Sequence, residues 1–163
     1  MLHFKNRSRI IYGFYFSITH EDDEMRGLIS KTDHKTLALW SIDCAERVMH
    51  YFETEYTDDP RPREAINTLQ EWIKTSKFSM RIIRQASLAS HAAAKEIGND
   101  SPAASAAHAA GQAVATAHVS THSYGPAVYA QQAVFKATNS LDAVQKERDW
   151  QFQHLLDLGA KKY

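Results

Sequence analysis

From Thr32 onward, apolar side chains recur at helical spacing. Leu37, Trp40, Cys44, Val48, Tyr51 and Phe52 form one stripe of a helix that can be capped by Thr32 or Asp33. Leu39, Ile42 and Met49 lie on its opposite side, and a helix apolar on two faces is central rather than peripheral. Asp43 and Arg47 sit on its flank at i,i+4 spacing. A second helix opens with Asp59 as N-cap and Pro60 at the first position, and Ala65, Ile66, Leu69, Trp72 and Ile73 form its inner stripe. A third runs from Ser79 to Gly98, with Ile82, Ile83, Ala86, Ala89, Ala93 and Ile97 inward. Ser101-Pro102 starts a fourth, which the periodicity carries to about Ser123, where Gly125-Pro126 must interrupt it. A fifth holds Val128, Tyr129, Ala133 and Val134. After a break near Asn139-Ser140, a sixth holds Val144, Trp150, Phe152, Leu155 and Leu158 and ends at Gly159.

The pattern predicts an all-α, single-domain bundle of about five to six helices over residues 31–163. Residues 1–30 form an N-terminal arm. Within it Ile10–Phe16 is β-branched and aromatic without a helical period and can form a short strand, and His20–Glu24 reads as a solvated turn.

Between Ala86 and His122 the chain is crowded with alanine, the best helix former, and small residues let helices approach closely. Four histidines, His91, His108, His118 and His122, stand in this run. Extending the fourth helix places His118 and His122 on the face of Ala104, Ala107, Gly111 and Val114. Ser105, Gln112, Thr116, Ser120 and Ser123 then lie about 140° away, facing water. The two histidines are therefore expected to point inward and brace the interior. Two His at i,i+4 can also ligate a metal, with a third donor from His91, Glu46 or His154. That alternative is a metal- or small-ligand-binding bundle, or an enzyme. The residues between the pair, Val119-Ser120-Thr121, lack the glutamate base of a zinc protease. The favoured reading is a structural polar network of Asp43, Arg47, His91, His118, His122, Glu147, Arg148 and His154, with no metal, cofactor or catalytic residue. For Glu147–Gln151 with His154 two readings stay open: a partner surface, or a seam closing the last helix on the first. Arg61 and Arg63 are expected to neutralise Asp58, Asp59 and Glu64.

Net charge is zero, with 19 acidic and 19 basic residues, so the chain lacks the overall basic character of a nucleic-acid binder. The charge is uneven: residues 1–60 carry 11 acids against 7 bases, and residues 61–163 carry 8 against 12. An acidic front half suits a basic partner. The single cysteine, Cys44, precludes an internal disulfide, lies on an apolar stripe where its thiol is desolvated, and fits a reducing compartment. Lys5, Arg7 and Arg9 before Ile10–Ile18 imitate a secretion signal, but no small-residue cleavage site follows, and the stretch is too short to span a bilayer. Glycine-rich phosphate loops, nucleophile elbows and Cys-x-x-Cys pairs are missing, which leaves the case for an enzyme thin.

The run Leu37–Val48, then Tyr51-Phe52-Glu53, Asp58–Arg63 with Ala65-Ile66 and Trp72, resembles the immunity-protein-5-like group of bacterial polymorphic toxin systems. His91–Ala94, Ala107–Val119 and Glu147–Gln151 with His154 carry the same resemblance, which spans about Leu37 to Leu158. It implies an all-helical cytoplasmic protein that binds and neutralises a cognate protein toxin without catalysis. Contact with nucleic acid or a membrane is not expected, and a homodimer is open to it. It supplies no inhibitory residues. On the acidity of the front half, the exposed Glu53, Asp58 and Asp59 are the expected partner contacts.

Overall fold

The computed structural model describes residues 22–161. Seven α-helices account for most of them: α1 (Asp23–Ser30), α2 (His34–Glu53), α3 (Arg61–Thr75), α4 (Met80–Ile97), α5 (Pro102–Ala115), α6 (Tyr124–Thr138) and α7 (Leu141–Ala160). A 3-10 turn, Ser120–Ser123, precedes α6, and no strand occurs among the described residues. The fold class is all-α, as the periodicity predicts, with one helix more than expected. The candidate strand at Ile10–Phe16 lies outside the described residues.

Local sequence sets most boundaries. Asp33, Ser79, Ser101 and Ser140 each accept a hydrogen bond from a backbone N–H in the first turn of the helix that follows. At the other ends, Gly98 (φ 96°) and Asn139 (φ 49°) adopt left-handed backbone angles that stop α4 and α6. The third helix starts one residue later than the Asp59–Pro60 signature suggests. Pro60 takes the capping position, and the Asp59 carboxylate instead accepts from the Arg61 N–H at 3.1 Å.

Three expectations are corrected. The solvated turn at His20–Glu24 is in part the start of α1: Asp22 caps it by accepting from the Met25 N–H, and Met25 is fully buried. Gly125 and Pro126 do not break a helix but sit in the first turn of α6, where a proline needs no N–H partner. The fourth helix ends at Ala115, eight residues early by the residue numbers, because the chain turns through Thr116–Val119 before the 3-10 segment. His34 fixes that turn from outside by donating from Nε2 to the Thr116 carbonyl at 2.5 Å.

α5 is the axis of the molecule. It packs against α2, α3, α4 and α6, and ten of its fourteen residues are buried. A helix enclosed on so many sides has room only for small side chains, which is why this segment reads Ala-Ala-Ser-Ala-Ala. Its hydroxyl neighbours bond to backbone: Ser90 Oγ donates to the Ala107 carbonyl at 2.7 Å and Ser87 Oγ to the Gly111 carbonyl at 2.9 Å. Gly111 is required by approach, since a Cβ there would lie 2.8 Å from His91 Nε2. A second apolar cluster unites Met25, Leu37, Trp40, Cys44, Ala127 and Leu155 from α1, α2, α6 and α7. Trp40 is its largest member, fully buried, with Nε1 donating to the Gln151 carbonyl at 2.8 Å.

Candidate functional site

The polar residues singled out by sequence fall into three places. The first is the seam between α2 and α7. Asp43 and Arg47 do not pair with each other along α2; each reaches across to α7. Arg47 makes a bidentate pair with the buried Glu147, at 2.8–3.0 Å, and stacks over the Trp150 ring at 3.9 Å. Asp43 Oδ2 lies 2.7 Å from His154 Nε2, and the His154 ring stacks on Trp150. Arg148 holds Asp22 and Glu24, fastening α1 to α7. Gln151 continues the network inward, donating to the Ala127 carbonyl and accepting from Gln131 Nε2. Of the two readings for the Glu147–His154 cluster, the geometry is that of a seam closing the bundle.

The second place is the acidic corner. Arg61 bridges Asp59 and Glu96, and Arg63 bridges Glu46 and Glu53. The arginines thus join α2, α3 and α4 rather than neutralising Asp58 and Glu64. Arg61 holds the Asp59 carboxyl below the usual range through its hydrogen bonds. Of the three expected partner contacts, Glu53 and Asp59 already carry intramolecular pairs, and Asp58 is exposed.

The third comprises the histidines of the alanine-rich run, which do not gather into one cluster. His118 and His122 are exposed, against the expectation that they brace the interior. Once α5 ends at Ala115 the helical phase is lost, so positions extrapolated from it no longer share its face. His118 lies beside the Phe78 ring and His122 Nδ1 is 3.2 Å from Gln112 Oε1. The supposed water face is inverted as well: Ser105, Thr116 and Ser123 are fully buried. Ser105 is satisfied there by donating to Gln132 Oε1. Among the described residues no three His, Cys, Asp or Glu side chains are grouped so as to hold a metal ion. Cys44 is buried, and desolvation pushes its thiol well above the ordinary value.

His91 and His108 do meet, Nδ1 to Nδ1 at 2.7 Å, between α4 and α5, with Tyr129 of α6 stacked on His108. One ring must donate and the other accept, so the contact needs at least one bare nitrogen. Burial pushes His108 down to about 4, helped by the nearby His91, Lys136 and Lys95, and burial with Lys95 also lowers His91. Both groups bind protons more readily unfolded. The stability they contribute is therefore present above about pH 6.5 and is lost as pH falls from there toward 4. Chemical denaturation between pH 7.5 and 4.5 should show a loss of roughly 1–2 kcal/mol, allowing for the rings' partial exposure. His108→Gln should flatten that slope.

One surface feature was not anticipated. A groove of about 600 Å³ runs between α3 and α4, lined among others by Trp72, Phe78, Ile82 and Ile83. Ile82, expected on the inner face, is 49% exposed, and the inward position belongs to Ile83. The available signal was the interleaving of Lys74, Lys77, Arg81 and Arg84 with Phe78, Met80 and Ile82, which no buried stripe would carry.

Compared with known protein families, residues 27–158 match the family model described as Imm-5 like putative immunity protein. Searches of curated proteins and of solved structures found no match.

Proposed function

Because the chain belongs to the Imm-5 like immunity protein family, we propose that it binds a cognate bacterial protein toxin and neutralises it by occlusion, in the cytoplasm of the cell it protects. The family match carries this reading, since residues 27–158 take in nearly the whole helical body. The architecture supports a scaffold rather than a catalyst. The polar side chains of the α2–α7 seam are engaged in ion pairs and a hydrogen bond between helices, and the half-buried His91 and His108 bond to each other. Such ties hold a surface in one shape, which lowers the ordering cost of binding.

Co-expression with the toxic polypeptide encoded by the adjacent gene tests the proposal. Growth should be rescued, the two chains should co-purify, and protection should titrate with immunity protein near one to one. Failure to rescue overturns the reading. Protection at amounts far below stoichiometric would replace occlusion with turnover, and so with the enzymatic alternative.

A further inference from the structure

Ion pairs tie only some of the bases among the described residues. Arg47, Arg61, Arg63 and Arg148 are all tied to carboxylates. Lys74, Lys77, Arg81 and Arg84 are exposed and make no ion pair among the described residues. They are also concentrated: from Ala65 to Ala94 the chain holds these four bases and a single acid, Glu71.

The same stretch carries unusual apolar exposure. Phe78, Met80, Ile82 and Leu88 are 48%, 42%, 49% and 59% exposed, half of the large apolar side chains that the described surface shows to water. Phe78 and Ile82 stand at the groove between α3 and α4. Arg81, Arg84 and Leu88, at spacings of three, four and seven residues, run along one side of α4. Val119, 37% exposed, follows His118, whose ring lies 6.2 Å from that of Phe78, so the apolar surface continues past the end of α5. The groove wall carries Glu64 and Glu71 from α3 and Lys77 from the turn, while Arg81 and Arg84 stand on α4 beyond its lining. Apolar anchors beside a preformed groove, with unpaired bases along the neighbouring α4 face, are the anatomy of a binding surface: anchors give affinity and the charges give on-rate and selectivity.

We propose that the α3–α4 groove and the outer face of α4 are the toxin-docking surface, and that the docking element is an acidic segment of the toxin with an aliphatic or aromatic anchor. The inference rests on the immunity reading above and sharpens it by moving the contact away from Glu53, Asp58 and Asp59. Charge selects among occupants. The chain's own residues 1–21 carry Lys5, Arg7 and Arg9 against one acid, Glu21, so charge does not favour them as the occupant. A second copy docking groove to groove would oppose the four unpaired bases to themselves.

The test uses the full-length chain and an inactive form of the toxin encoded beside it. Arg81→Glu with Arg84→Glu, and separately Ile82→Asp, should each weaken binding about 30-fold or more. These positions are exposed, so both variants should keep the wild-type far-UV spectrum and melting temperature. Glu53→Lys with Asp58→Lys should change binding less than about threefold. The converse pattern, with the acidic-corner variant losing binding and the α4 variants keeping it, overturns this inference and leaves the immunity reading standing. No binding by wild type overturns the immunity reading and this inference with it. A dimer in light scattering that Ile82→Asp dissolves would assign the groove to a second copy. An Ile82→Cys thiol that labels slowly, and quickly once Phe14→Asp and Phe16→Asp are added, would assign it to the N-terminal segment. Either result also overturns the proposal.

Discussion

Replacing Trp40 by alanine should lower the unfolding free energy by about 3–5 kcal/mol, the range for truncating a large aromatic in a packed core. For a chain of this size that is a drop in melting temperature of roughly 8–15 °C. The expectation sits at the high end of single-site effects for a specific reason. Trp40 is wholly enclosed by a small cluster drawn from four helices, so the void it leaves is bounded by α1, α2, α6 and α7 at once, and no one helix can move to fill it. Its indole N–H is also the one side-chain donor from α2 to the backbone of α7 at Gln151. Trp40→Phe separates the two contributions: it keeps most of the ring, loses that bond, and should cost about 1–2 kcal/mol. Urea denaturation followed by far-UV circular dichroism measures both. A Trp40→Ala loss under 1 kcal/mol would mean that α1 and α7 are not docked as described.

The second large effect is expected at Arg47. Its bidentate partner Glu147 has a side chain only 6% exposed, whereas Arg47 itself is 38% exposed. The pair is therefore asymmetric. Arg47→Met removes a cation that sits at the edge and strands a carboxylate that sits inside, with only a 3.3 Å contact from Gln151 Nε2 left to it. Stranding a buried charge costs on the order of 3–5 kcal/mol, and the partial exposure of the arginine places this case near 3. Arg47→Met combined with Glu147→Leu should recover most of that loss, because the charge is removed rather than orphaned, and Gln151 keeps its bond to the Ala127 carbonyl. If the double variant is no more stable than the single one, the penalty comes from lost packing over Trp150 rather than from the buried carboxylate.

Helix boundaries illustrate how far local information reaches. Caps at Asp33, Ser79 and Ser101, the stop at Gly98 and the break at Asn139-Ser140 are legible because each depends on residues within one turn of the boundary. The inner stripes of α2 and α3 are legible for the same reason: a 3.6-residue period needs no knowledge of what lies opposite. Extrapolation fails where a helix stops without a local signal. Nothing between Ala115 and Val119 is a glycine or a proline, yet the chain leaves the helix there. His34, 82 positions away in sequence, is bonded to the carbonyl that the next turn would have used. Carrying the period through that point turned two exposed histidines into supposed core residues and two buried hydroxyls, Thr116 and Ser123, into surface ones, whereas Ser105 lies within α5 and is buried because other helices enclose α5.

Family, fold class and most helix boundaries were thus determined by sequence, since patterning, caps and the long family motif are properties of neighbouring positions. Which charge meets which was decided only by tertiary structure. Asp43 and Arg47 are one helical turn apart, yet both find their partners on α7, because α7 packs against α2 and brings Glu147 and His154 within 2.7–3.0 Å of them. The same holds for the groove. Ile82 and Ile83 are adjacent and chemically identical, and only the packing of α3 and α5 against α4 makes one a core residue and leaves the other facing water.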